Sequence, residues 1–432
     1  MNKILLLVLI FLFFNNCSLS KNEAVLDEKK TNFNKTKNTQ TVLSEKKRVE
    51  QEFNEGLNIE VSELKYNANF NNNQNDSGEL GYQGFLEKIG KYKYSKFDDF
   101  KYLDLKSILY NGNIIFFDNK GAIILYDQNQ KIIWKKNFYN KSEKKTKPRL
   151  NLAIQNDVLI VTDNIAKYYA VNLKTGEIIW TKSNIVPFNS DIKIKGDIFY
   201  VVDYKNILRA ISITDGSELW KLKTEESLIK SNTKLSVVID NENVYFNNSI
   251  GDITAVNIKS GQLLWQLPTQ NNSINKNAFQ LSSSKLVIND NSILFSNNKN
   301  EFYSIDKKIG LINWRNEIIS ILRPVVIGKF IVTISTKGYL YLIDKRSGNI
   351  IRINDLYKEY DLKKRIKLFP TGFIVSKNKI YLANDDGKLI IAELNTGNIL
   401  DIMKISDDKI SQPHVYENNL FLIKNGSIIR FN

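Results

Sequence analysis

Beyond about residue 105, apolar and polar positions alternate with a period of two in short runs separated by Asp, Asn and Gly. The run DIFYVVD (197–203) is β-branched and aromatic, ILRAISI (207–213) alternates, and SELWKLK (217–223) follows a tight turn. Such runs predict short antiparallel strands joined by hairpins. The first 80 residues read differently. Ile4 to Phe14 is an unbroken apolar run behind Lys3, too short to span a bilayer and suited to the core of a signal peptide. Residues 18 to about 80 are polar with little apolar periodicity, the composition of a flexible tether that buries too little surface to offset its ordering entropy.

The strand region repeats. NLKTGEIIW (172–180), SITDGSELW (212–220), NIKSGQLLW (257–265) and DKKIGLINW (306–314) share one frame. YDQNQKIIW (126–134), DKRSGNIIR (344–352) and ELNTGNILD (393–401) are variants of it. The Trp position falls at 134, 180, 220, 265, 314, 352 and 401, so the spacing runs from 38 to 49 residues. All five tryptophans, Trp134, Trp180, Trp220, Trp265 and Trp314, occupy it, while Arg352 and Asp401 replace Trp in the last two units. A period of this length signals a propeller or a similar array.

Within each unit, Gly176, Gly216, Gly261, Gly310, Gly348 and Gly397 close a hairpin where one residue takes a positive φ. Asn172, Asn257, Asp306 and Asp344 stand four residues earlier, where a short polar side chain can bond the turn's backbone. Gln130 replaces Gly in the first unit, whose turn is one residue shorter. Strand alternation puts Ile178 and Trp180 on one face and Ile179 on the other. The indole then covers the neighbouring blade, and the two units without Trp have less apolar seams. An eighth unit, HVYENNLFLIKNGSIIRF (414–431), supplies too few strands for a blade. A closed ring leaves no open edge, so the missing outer strand is expected from FKYLDLK (100–106). The expected fold is all-β: an eight-bladed propeller of four-stranded antiparallel blades, with seven blades the alternative. Its expected layout is a signal peptide at 1–16, a tether at 17–80 and a propeller at 81–432.

Composition adds exclusions. The chain carries a formal charge of +15 over 432 residues, but its lysines are scattered and no Arg-rich stripe with interleaved aromatics marks a nucleic-acid interface. His414 is the only histidine and Cys17 the only cysteine. Ser-His-Asp triads and His-ligated zinc centres therefore lack their parts. The carboxylates of NDDGKL (384–389) and NDNS (289–292) sit at turn positions, and no Gly-rich phosphate loop is found. These features predict no enzyme, no cofactor and no metal.

The stretches AVNLKTGEIIW and AVNIKSGQLLW resemble the repeats of the PQQ-type β-propeller family, over residues 105 to 432. That family includes quinoprotein dehydrogenases and BamB-like outer-membrane assembly lipoproteins. The dehydrogenases carry adjacent cysteines against their cofactor, and this chain has none there. Cys17, in NNCSLS after the apolar run, resembles a bacterial lipoprotein cleavage site, although Asn16 departs from the small residue preferred before the Cys. By those sorting rules Ser18 implies the outer membrane, with the propeller in the periplasm. The resemblance implies a scaffold subunit of the barrel-assembly machinery that holds a BamA-like partner and aids insertion of unfolded outer-membrane proteins. By the same resemblance the partner contact falls on the loops 223–235 and 268–281, with Leu228, Ile229 and Lys230 where the family carries an apolar pair and a basic residue. The alternatives are a quinoprotein-type dehydrogenase and a periplasmic propeller with another ligand.

Overall fold

The computed structural model describes Ile59 and residues 82–226, 233–269, 281–376 and 378–432. Among these residues, thirty-two strands form eight four-stranded antiparallel sheets. Seven are consecutive in the chain: blades 1 to 7 span 108–136, 150–183, 193–223, 237–267, 287–316, 325–355 and 370–404. In each, the first strand is innermost and the last outermost. Blade 8 takes His414–Tyr416, Asn419–Lys424 and Ser427–Phe431 from the C-terminal end and Lys88–Lys93 from the N-terminal side.

The ring therefore closes through Lys88–Lys93, with Tyr92 opposite Ile428 and Lys93 opposite Ser427. This corrects the expectation that residues 100–106 close it. Phe100–Tyr102 is a 3₁₀ turn and no residue of 103–106 is in a strand. KIGKYK pairs because its alternation sets Tyr92 inward, 1% exposed, and its lysines outward. Ile59, inside the segment read as a tether, is 4% exposed, and its amide donates to Asn395 Oδ1. Cys17 lies outside the described residues.

The second and third strands of each blade are almost wholly buried, Val, Ile, Leu and Ala lying between successive sheets. The hairpin chemistry is as expected: Asn172 Oδ1 accepts from the amides of Lys174 and Thr175, and the Gly176 amide donates to the Asn172 carbonyl. Asn257, Asp306 and Asp344 repeat the pattern. Gln130 holds a positive φ of 70° without being Gly, and its amide bonds the carbonyl only three residues back.

The seams follow one rule. Each Trp Nε1 donates to a carbonyl in the next blade's hairpin: Trp134 to Leu173, Trp180 to Ile213, Trp220 to Ile258, Trp265 to Lys307 and Trp314 to Lys345. The hairpin glycine of that next blade then lies under the indole. A Cβ on Gly216, Gly261, Gly310 or Gly348 would come within 2.7 Å of the ring. Gly and Trp recur together because each unit's Gly receives the preceding blade's Trp. A bulge before the Trp position breaks the expected alternation, leaving Ile178 40% and Ile179 47% exposed.

Three seams vary the rule. Arg352 is 1% exposed and donates from Nη2 to the Leu394 carbonyl at 2.6 Å and from Nη1 to the Asn395 carbonyl. That seam is closed by a cation rather than left open. Between blades 8 and 1 the sizes are exchanged. Gly90 holds the Trp register and Gln130 the Gly position, the glutamine packing over Gly90 while its Oε1 accepts from the Lys91 amide. Asp401, in the remaining Trp position, is exposed, and Tyr82 fills in beside it, buried against Tyr381 with its hydroxyl donating to the Asn432 carbonyl.

Candidate functional site

Connections from each outermost strand to the next innermost strand share one face of the ring, where a cavity of about 630 Å³ opens. A narrower pocket of about 100 Å³ runs further along the innermost strands. Among the described residues, eight Lys and Arg side chains and three carboxylates, Asp104, Asp191 and Asp385, line the two. The bases are placed by a repeated device. Lys106, Arg149, Lys234, Lys285, Arg323 and Lys409 each stand one to five residues ahead of an innermost strand, in six different blades. Strand entry directs them to the axis.

Residues 97–106 cross this mouth as a strap, which is why they form no edge strand. Lys409 Nζ donates to the carbonyls of Lys101 and Leu103, and Lys234 Nζ to that of Asp104. Arg149 pairs with Asp99 at 2.5 Å and lies 4.9 Å over the Phe97 ring. Lys106 and Lys285 both pair with Asp191, at 3.2 and 3.1 Å.

Burial raises the carboxyl of Asp191, but Lys106, Lys285 and Lys234 outweigh it and hold the group well below the usual carboxylate range. Asp104 is lowered by the same balance, its burial being outweighed by Lys106, Lys285 and Lys234. Burial lowers the Lys285 ammonium to about 8 against the pull of Asp191, and it also lowers Lys234 and Lys409. The arrangement is an electropositive, partly dry mouth that favours carboxylates.

The turn reading holds for Asp386, whose Oδ1 accepts from the Lys388 amide, and for Asp290, which takes a positive φ of 52° in its hairpin, but not for Asp385, whose Oδ1 accepts from the Phe369 amide sixteen residues earlier. His414 begins the innermost strand of blade 8 and lines the narrow pocket. Among the described residues, no group of three His, Cys, Asp or Glu could hold a metal. Leu228, Ile229 and Lys230 lie outside the described residues, as does most of the connection 268–281. The described ends of those connections, Thr233, Lys234, Ser283 and Lys285, line the mouth. The ring of bases was missed in the sequence because a lysine ahead of a strand carries no signal until the innermost strands are known.

The sequence model for outer membrane protein assembly factor BamB matches residues 119–354, more than half of the chain. This chain belongs to the BamB family. A curated relative, outer membrane protein assembly factor BamB from Francisella tularensis subsp. tularensis, is 29% identical over 119 residues, covering 27% of this chain and 24% of the relative. The match thus spans about a quarter of that relative's length. Among solved structures, BamB from Moraxella catarrhalis aligns over 81% of this chain and 100% of its own, with a TM-score of 0.67 at 15% identity. A quinohemoprotein alcohol dehydrogenase from Pseudomonas putida HK5 aligns over 80% of this chain and 75% of its own, with a TM-score of 0.56 at 10% identity. At such identities the structural likenesses show the shared propeller fold alone.

Proposed function

We propose that this chain is a non-catalytic scaffold of the machinery that assembles outer-membrane β-barrels. Lipid on Cys17 anchors it to the outer membrane, and the ring holds a BamA-like barrel protein in the periplasm. The match to the BamB family over 119–354 carries the reading. The fold supports it, since a rigid ring presents many connections on one face while its core stays independent of them. The connections after blades 3 and 4 end beside the mouth, at Thr233 and Lys234 and at Ser283 and Lys285. In the first, Leu228 and Ile229 supply an apolar centre for a small interface and Lys230 a charge-assisted bond to an acidic partner.

The test is capture of the partner from detergent-solubilised membranes. Leu228→Ala with Lys230→Ala is expected to abolish capture of a BamA-like protein and leave the thermal melt unchanged. Retained capture moves the interface to residues 268–281. No barrel-assembly protein captured by the unmutated chain overturns the scaffold reading. Cys17→Ser is expected to release the folded chain from the membrane fraction, because stable anchoring needs several acyl chains.

A further inference from the structure

We propose that the connection between blades 6 and 7 is a docking edge that enters the headgroup layer of an anionic phospholipid surface. An inverted helical turn carries this. Leu362–Arg365 is helical, and the turn continues to Leu368, whose amide donates to the Arg365 carbonyl. A helical turn packed on a protein ordinarily buries its apolar side and leaves its charges in water. Here two charges are set against the ring. Arg365 pairs with Asp355 at 2.6 Å and lies 5.2 Å over the Tyr339 ring, and Lys364 pairs with Asp386 at 3.2 Å and lies 4.8 Å over Tyr360. Leu362 and Ile366, four residues apart and so on one face, are 72% and 78% exposed, and Phe369 beyond them is 53% exposed. Leu368 is buried in the core that blades 6 and 7 share. Tyr102 of the strap, 84% exposed, lines the same cavity as Phe369 and adds an aromatic ring to the edge.

Shape and charge name the occupant. At these exposures the side chains project from the surface as separate points. A rigid protein receives such points only with a matching pocket for each, whereas a headgroup layer closes round any projecting apolar group. Lys363 and Lys367 each follow an aliphatic residue of the edge, are exposed, and form no ion pair among the described residues. The acids of the same connection are Glu359 and Asp361. Both precede the helical turn, and Asp361 is held as its cap, accepting from the Lys364 amide. Aliphatic side chains alternating with lysines that reach the phosphates, with an aromatic ring beside them, is the pattern of an interfacial segment. The formal charge of +15, scattered and not gathered on one site, suits an extended anionic surface. One turn is too small to hold the protein by itself. It is a second contact, which orients the ring once lipid on Cys17 has brought it to the membrane. The inference therefore rests on the anchor of the proposed function and is independent of the barrel-protein partner.

A depth measurement on the full chain reconstituted in vesicles tests it. Ile366→Cys and Ile309→Cys, each labelled with the fluorophore NBD, are compared in vesicles of phosphatidylglycerol and phosphatidylethanolamine that carry nitroxide lipids. Ile309 is the control: it is 61% exposed on the blade 5 hairpin, at the opposite face of the ring. The parent chain is the blank. Label taken up there reports a free Cys17, and so a failed anchor, and is subtracted, which keeps that result separate from the comparison of 366 with 309. Quenching at 366 is expected to exceed that at 309 about threefold or more, as for a side chain within the headgroup layer. Lys363→Gln with Lys367→Gln is expected to reduce that ratio about twofold or more, the loss of two cations near an anionic surface. All four substituted positions are exposed, so the fold is expected to be kept. Equal quenching at 366 and 309 overturns the proposal. So does a ratio untouched by the lysine pair, which removes the anionic lipid from the reading. A response at 366 that appears only when membrane proteins are added also overturns it and assigns the edge to a protein.

Discussion

The Trp220 indole lies so close to Gly261 of the next blade that a Cβ at 261 would stand 2.7 Å from ring carbons Cδ2 and Cε3. Gly261 also holds φ at 71°. The glycine is thus required twice, once by its own hairpin and once by the neighbouring blade's side chain.

Gly261→Ala is expected to cost about 2–4 kcal/mol, combining the left-handed backbone penalty with crowding. In a Trp220→Ala background the crowding is gone and only the backbone part, about 1–2 kcal/mol, should remain. Urea melts of the four proteins of this double-mutant cycle measure the coupling. Additive losses would show that the ring and the hairpin do not touch.

Arg352 does with a guanidinium what five other seams do with an indole. Arg352→Ala leaves the Leu394 and Asn395 carbonyls without their donor and opens a void, so a loss of about 3 kcal/mol or more is expected. Arg352→Trp restores one donor to the Leu394 carbonyl and fills the volume, and should lie within about 1.5 kcal/mol of the parent. Denaturant midpoints of the three proteins check this. A tryptophan variant as unstable as the alanine one would mean that this seam has been rebuilt around the cation.

Ring closure can be tested by truncation. Proteins beginning at residue 82 and at residue 95 both lack Ile59, but only the second lacks Lys88–Lys93. The first is expected to melt cooperatively. The second exposes the whole edge of Ser427–Phe431 and is expected to aggregate or to lose its cooperative transition. Equal behaviour in size-exclusion chromatography and thermal melts would remove the closing role from that strand.

The repeat was legible because a rare, large residue recurs in one register, and the hairpin polar residues were legible because turn chemistry is local. The second reason for each glycine was not, since it depends on a side chain about 40 residues earlier in the chain. The closing strand was misplaced because FKYLDLK alternates as well as KIGKYK does. What separates them is the pair Lys409 and Lys234, reaching residues 101–104 from blades 8 and 4. From the sequence the Arg352 seam reads only as less apolar, because its partners are backbone carbonyls, which the sequence does not show.

Lys285 gives the mouth a pH signature. Its Nζ lies 3.1 Å from Asp191 Oδ2 and donates to the Lys234 carbonyl, and Lys106, Lys234 and Asp104 are the other charges facing it. Burial lowers the ammonium from 10.5 to about 8. Between those two values the unfolded chain holds a proton that the folded chain has released, so this group's contribution to stability rises with pH across that window. Asp191 works at the other end: held well below 3.8 by its lysines, its contribution is complete above 3.8 and is lost as pH falls through the folded value. The expected result is that the parent gains stability relative to Lys285→Met as pH rises from about 8 to 10, and that the deficit of Asp191→Asn at pH 7 narrows as pH falls below about 4. Denaturant melts at pH 3, 7, 8 and 10 measure both. A parent–variant difference for Lys285 that stays flat from pH 8 to 10 would mean the ammonium is solvated, and the dry, electropositive mouth would have to be abandoned with it.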